Sequence, residues 1–398
     1  MTQKLEPLYI STGKVADGEN IFFPRDKIIR KIWRKLDRGE DLLLVAPRRI
    51  GKSSILHHLQ KNPKKDYIVK YLSIMSTDSS NAYFKQIYKT LLEDNEIYGL
   101  ATSYFQSTRV NLKNWIKKIR GIGLEGIEID KNEQINYFVE TIELLQSLPE
   151  DSKTILFLLD EFPDTVSNIA KFSEDEAINF LQENRDLRQQ YQDINIQFIL
   201  TGSIGLNNVV RKLVHEDIIN DLIHIEIPFL TNEEALLMID RLCLGLERDD
   251  ICLKLDLTVK EYFLEKIVQN HPYYIMMIID ELGDEVADSE KEIGREDIDK
   301  VIDKIIKSNS NADYFSNWKT RLKDAFEKKE EILAIRILSH ISKHGTMSYE
   351  EMKKLDKKID LKAIIEVLEY DGYISEQNSL YAFNSPLLKA WWEHRVAE

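Results

Sequence analysis

The stretch from Leu42 to Leu59, LLLVAPRRIGKSSILHHL, constrains this chain more than any other. An apolar run reads as a buried strand, a short basic loop containing a glycine follows, and a helix begins at once. A loop of this kind, Ala46-Pro47-Arg48-Arg49-Ile50-Gly51-Lys52-Ser53, gathers successive backbone N–H groups and the positive end of a helix around one point, an arrangement suited to phosphate oxygens. This is the P-loop pattern. It predicts that Lys52 bridges the β- and γ-phosphates of ATP, that the Ser53 hydroxyl holds Mg²⁺, and that Ser54 belongs to the same binding set. The pattern Gly-x-x-x-x-Gly-Lys-Ser/Thr is broken only at its first position, Ala46, where a methyl group fits if the backbone is not left-handed. Agreement of strand, loop and helix disfavours an incidental Gly-Lys-Ser.

Further apolar, β-rich runs recur at Asp41–Ala46, Tyr67–Ile74, Thr154–Asp160, Ile196–Thr201 and Leu222–Ile227. Helical patterns at Ser53–Gln60, Tyr83–Leu92 and Glu174–Tyr191 separate them. Such alternation predicts an α/β fold, a parallel sheet covered by helices on both faces. In TILFLL, Thr154 to Leu159, the apolar run is nearly continuous, as for a central strand. Segment Gln106–Asp130 reads equally as a short hairpin or an edge extension of the sheet.

Two strand ends carry polar residues suited to chemistry. ILFLLDEFPD places Asp160 and Glu161 at the carboxyl end of a buried strand, where open α/β sheets bind ligands. Asp160 is expected in the Mg²⁺ shell, and Glu161 is expected to polarise the water that attacks the γ-phosphate. IQFILTGS ends in Thr201-Gly202-Ser203, so Thr201 and Ser203 are expected to sense the γ-phosphate or place the water.

After Pro228 the pattern turns wholly helical, beginning with Thr231 as an N-cap and Glu234 three positions on. From about Trp318, helices at Lys329–His344, Ser348–Leu355 and Leu361–Tyr370 precede two short β runs in DGYISEQNSLYAF and a last helix, Ser385–His394. That is the outline of a winged helix. The predicted organisation is a P-loop core over 1–228, a helical lid over 229–315 and a winged helix over 316–398, in line with a length of 398 residues.

A formal charge of -14 disfavours indiscriminate nucleic-acid binding. The candidate recognition helix LKAIIEVLEY carries Glu366 and Glu369 against one Lys362, and Arg321–Glu398 holds 13 Lys plus Arg against 14 Asp plus Glu. A winged helix that makes intramolecular or protein contacts is therefore expected over a DNA reader. No run of about 18 uncharged apolar residues is present, and the first twenty residues lack an apolar core, so a cytoplasmic protein without membrane contact is expected. Cys243 and Cys252 lie among leucines and read as buried thiols rather than a zinc site or disulfide.

APRRIGKSS, FLLDEF, FILTGS, HPYYI and YAFNSPLLKAWW together resemble the archaeal-type ATPase family, part of the STAND class of P-loop ATPases and related to AAA+ proteins. The resemblance covers nearly the whole chain. Its most specific marks are the Arg48-Arg49 pair and Phe-x-Ser-Pro-Leu-Leu with Trp391 and Trp392. It implies an ASCE/AAA+-like sheet and nucleotide held between core and lid. By position, FFPRD matches the family's Phe-x-Gly-Arg-Glu element, which implies Arg25 beside the base or ribose, with Pro24 in place of the usual glycine. Pro272, in Asn270-His271-Pro272, is implied to pack near adenine. Arg48 and Arg49 fit either of two roles, phosphate contact or packing against the domain that follows; Arg185 and Arg188 are the candidates for an arginine finger.

The resulting expectation is a slow ATPase switch using ATP and Mg²⁺, hydrolysing ATP to ADP and phosphate and acting through a protein partner or a homo-oligomer. Family habit places such switches in defence or stress signalling. The competing readings are a DNA-associated AAA+-like ATPase of the initiator or transposition-regulator type, and a nucleotide-binding scaffold, against which Glu161 argues.

Overall fold

The alternating strands of the first half close into one five-stranded sheet in the order β2-β3-β4-β1-β5, in the computed structural model. The structure describes residues 5–11, 20–108, 135–191, 194–202, 206–213, 216–287, 292–307 and 313–397. Most of the Gln106–Asp130 segment therefore lies outside the described residues. The strands are β1 (Leu42–Val45), β2 (Tyr67–Ser73), β3 (Thr154–Asp160), β4 (Ile196–Thr201) and β5 (Ile223–Glu226), within a residue or two of the apolar runs. The pairings β2–β3, β3–β4 and β4–β1 are parallel. β3 is buried from Ile155 to Asp160, as its unbroken apolar run requires, whereas the edge strand β2 is half-buried along most of its length.

Two compact units make up the chain, one of Lys27–Val45 and Leu59–Ile225, the other of Met1–Asp26, Ala46–His58 and Glu226–Glu398. In the first, aromatic side chains pack strand against strand and helix against helix. Phe157 and Phe198 stack at 5.9 Å between β3 and β4, and Phe180, on the helix Glu174–Gln189, meets Tyr83 at 4.9 Å and Phe162 at 5.4 Å.

The second unit is mostly helical. Its helix Asn232–Leu246 opens with the capping box read from the sequence, Thr231 and Glu234 each accepting the other's backbone N–H. Leu8, in the segment before the sheet, donates its N–H to the Arg241 carbonyl at 2.7 Å and is fully buried. A Cβ on Gly245 would come 2.0 Å from the Leu8 carbonyl oxygen, so only glycine admits this strand of backbone.

The carboxyl-terminal part has helices Lys328–His344, Tyr349–Leu355, Leu361–Tyr370 and Pro386–Arg395 with three short strands, β6 (Thr346–Ser348), β7 (Ile374–Gln377) and β8 (Leu380–Phe383). They pair antiparallel in the order β6-β8-β7. β6 was not legible in the sequence because three residues between two helices carry too little periodicity. One core joins Leu8 to residues between Leu230 and Ala397, and within it rings follow one another from Tyr274 to Phe315, Trp391, Trp392, Tyr373 and Trp318.

One expectation is corrected. Cys243 is half-buried, with its thiol pushed up to about 12 by burial, but Cys252 is exposed. Around it burial alternates, Leu253 and Leu255 being buried while Cys252 and Lys254 are exposed. Among the described residues no helix is long and apolar enough to cross a membrane.

Candidate functional site

The loop Ala46–Gly51 and the start of the helix Lys52–Lys61 belong to the second unit. Positive φ angles fall at Arg49 (61°) and Gly51 (103°), and not at Ala46. The methyl group in place of the first glycine therefore meets no left-handed backbone. Left-handed residues interspersed in a loop turn successive N–H groups toward a shared concavity, the geometry that holds anions. Lys52 is 8% exposed and donates to the carbonyls of Ala46 at 2.8 Å and Pro47 at 3.1 Å, which lays its ammonium across the mouth of the loop. Ser53 and Ser54, the second and third residues of the helix, are half-buried, and Ile50 is buried.

The loop is gripped by residues distant in sequence. His271, the N-cap of the helix Pro272–Val286, accepts the Tyr273 N–H on Nδ1 at 3.2 Å, and its Nε2 lies 2.9 Å from the Arg48 carbonyl oxygen. Pro272 occupies the first turn of that helix. The Arg49 guanidinium lies over the Tyr273 ring, 4.2 Å from its centre.

On another side, Gly372 lies against Pro47, and Asp371 beside it is 3% exposed. Burial pushes the Asp371 carboxyl up, against the opposing pull of Arg321, Lys52 and Arg48. Arg321 Nη2 is 3.4 Å from Asp371 Oδ1. Arg25 is buried and donates to the Pro228 carbonyl at 2.6 Å; burial holds its guanidinium below the ordinary value, opposed by Glu234.

The remaining predicted residues belong to the sheet unit. β4 lies between β1 and β3, and the registers Leu44↔Thr201, Leu159↔Leu200 and Ser73↔Asp160 bring Ser73, Asp160, Thr201 and the end of β1 to one edge. The Asp160 carboxylate is buried and accepts from the Tyr71 hydroxyl at 3.1 Å. Burial, and Asp160 next to it, push the Tyr71 phenol up. Glu161 is left-handed (φ 60°, ψ 38°), an unusual conformation for a residue with a side chain, and it starts the helix Phe162–Phe172 without capping it through its side chain. Thr201 is fully buried, and its Oγ1 has no hydrogen-bond partner among the described residues. Ser203 lies outside the described residues.

The two arginine-finger candidates are engaged within their own unit. Arg188, with 3% of its side chain exposed, pairs with Asp221 at 2.5 and 3.1 Å, and Arg185 donates to the Asp217 carbonyl.

Sequence reading reached Pro272 but passed over His271, Tyr273 and Asp371. A His-Pro pair ahead of an apolar helix signals an N-cap. No local signal points to a carbonyl 223 residues away.

No family model matches the chain, and no curated protein matches it. Among solved structures it is similar to a Walker-type ATPase of Pyrococcus abyssi, at 15% identity over 98% of each chain with a TM-score of 0.60. It is also similar to the ORC2 protein of Aeropyrum pernix in its ADPNP–ADP complexes, at 11% identity over 96% of each chain with a TM-score of 0.56. The chain has the fold of P-loop ATPases, with a mostly parallel α/β sheet and a helical carboxyl-terminal part.

Proposed function

We propose that this chain is a slowly hydrolysing ATP switch of the STAND type. The observation that carries the reading is the turn Asp371–Gly372 seated on Pro47, which ties the carboxyl-terminal part to the nucleotide loop itself. In this reading the loop residues Ala46 to Ser54 bind the phosphates, with Lys52 countering the charge of the β- and γ-phosphates. Pro272 packs on the adenine side, and Arg25 serves that end by holding Pro228 in place. Asp160 and the Ser53 hydroxyl offer the hard oxygen donors that Mg²⁺ prefers. The metal, when bound, offsets charge on the transferring phosphoryl group. Glu161 polarises the attacking water, and the buried Thr201 hydroxyl, which has no partner among the described residues, donates to the γ-phosphate or the water.

Switching follows from differential affinity, because a nucleotide bound equally well by two arrangements shifts neither. The additional negative charge of ATP near Lys52 and Arg48 competes with the Asp371 carboxylate for the same cations. ADP therefore favours the arrangement with Asp371 seated, and ATP the arrangement with it released. The carboxyl-terminal part is read as a winged helix over 316–398, following a core over 1–228 and a lid over 229–315. Its helix Leu361–Tyr370 leaves Lys362 and Glu369 exposed, and burial with Glu376 and Glu366 nearby pushes the Glu369 carboxyl up. That acidic face suits a protein partner or a second copy better than DNA.

The test compares wild type, Lys52→Ala and Glu161→Gln for ATP binding, turnover, and size on gel filtration in ATP and in ADP. Loss of binding in Lys52→Ala, binding without turnover in Glu161→Gln, and a nucleotide-dependent size change are expected. A wild type that binds no ATP refutes the reading, and salt-sensitive DNA binding favours the AAA+-like alternative.

A further inference from the structure

The Arg48 carbonyl meets a buried imidazole ring at hydrogen-bond distance, and that ring can hold one proton arrangement. Nδ1 of His271 accepts the Tyr273 N–H at 3.2 Å, so Nδ1 carries no proton. The proton is on Nε2, which donates to the Arg48 oxygen at 2.9 Å. The ring is enclosed by Phe229, Tyr273 and Tyr274, with Arg49 and Lys52 close by. Burial first, and those two cations after it, depress its protonation to about 4, so the imidazole is neutral at working pH.

In a trans peptide the C=O and the following N–H point in opposite directions. Holding the Arg48 carbonyl toward His271 turns the Arg49 N–H the other way. Arg49 is also left-handed, and its side chain is pinned over Tyr273, on the same helix start. The turn that delivers His271 is itself overdetermined. Val268 is β-branched yet has a φ of 58°, Gln269 and His271 each donate to a carbonyl two residues back, and buried Asn270 is fastened to the Leu230 carbonyl and to Asn232. Strain of this kind persists where surrounding bonds dictate the backbone.

We propose that His271 is a positioning residue for phosphate binding: through Nε2–H it orients the Arg48–Arg49 peptide so that the Arg49 N–H faces the bound phosphates. This rests on the nucleotide reading above and adds a group that reading does not contain.

Two substitutions separate this role from helix capping. His271→Asn keeps an acceptor at the Nδ1 position, where Asn is among the best N-caps, but falls short of Arg48. His271→Gln places a donor near the Nε2 position and gives up the cap. With Mg²⁺-ADP titrated calorimetrically into the full chain, His271→Asn should bind about tenfold more weakly with its melting temperature kept, the ratio for one lost hydrogen bond. His271→Gln should melt earlier yet bind within about twofold of wild type. The reverse pattern, with Asn binding as wild type and Gln weakened, overturns the inference and leaves the nucleotide reading standing. A wild type that binds no ADP overturns both.

Discussion

Gly372 sits so close to Pro47 that a Cβ placed on it would lie 3.2 Å from the Pro47 Cβ and 3.4 Å from its Cγ. Its φ of 81° is one that side chains rarely adopt. Gly372→Ala therefore meets both backbone strain and a crowded loop. Gly345, with φ 91° and nothing within 4 Å of its absent Cβ, supplies the control for strain alone. Gly345→Ala is expected to cost about 1 kcal/mol, and Gly372→Ala about 1 kcal/mol more. Equal shifts in denaturant midpoint for the two variants would show that the turn does not bear on Pro47.

Asp371 and Arg321 form a buried pair whose members are not interchangeable in cost. Arg321→Ala leaves a buried carboxylate without its nearest cation, and about 3–5 kcal/mol of stability should be lost. Asp371→Asn removes the charge that burial already disfavours and should cost much less. If the switch reading holds, Asp371→Asn also narrows the difference between ATP and ADP affinity, which competition binding measures.

Thr201→Val replaces a buried hydroxyl that has no partner among the described residues with a methyl group of similar size. Stability should stay level or rise by up to about 1 kcal/mol, since an unsatisfied polar group is removed. ATP turnover should fall about tenfold or more if that hydroxyl donates to the reacting phosphate or water. A variant that loses stability while keeping turnover would instead make Thr201 a packing residue.

Asp41 provides the pH dependence. Burial raises its carboxyl to about 7 from an ordinary 3.8, opposed by Arg188 and by the hydrogen bond from the Phe198 N–H, and assisted by Asp221. The folded state thus binds this proton more tightly than the unfolded chain. The associated stability is complete below the unfolded value and is lost as pH rises through about 7. Asp41→Asn, which keeps an acceptor for Phe198, should gain on wild type from pH 4 to 7, by at most about 1.4 kcal/mol per unit, and then hold level. A stability difference that does not vary with pH would remove Asp41 as the titrating group.

Sequence alone determined the features that depend on a few neighbouring residues. The run TILFLL became a buried strand because continuous apolarity leaves no solvent face. Thr231 and Glu234 formed their capping box because three residues of spacing suffice for both bonds. The strand, the loop with Gly51-Lys52-Ser53 and the helix followed one another as read, since a strand end, a glycine able to take positive φ and a helix start are all local choices.

Tertiary structure decided what surrounds that loop. Nothing in the order of residues sets β4 between β1 and β3, yet this placement brings Thr201 to the edge that carries Asp160. Nothing local aims His271 at Arg48, Tyr273 at Arg49, or Gly372 at Pro47. These contacts join segments hundreds of residues apart, and no local pattern in the chain encodes them. Burial then determines charge: the same histidine, aspartate or arginine in water would keep its ordinary proton affinity.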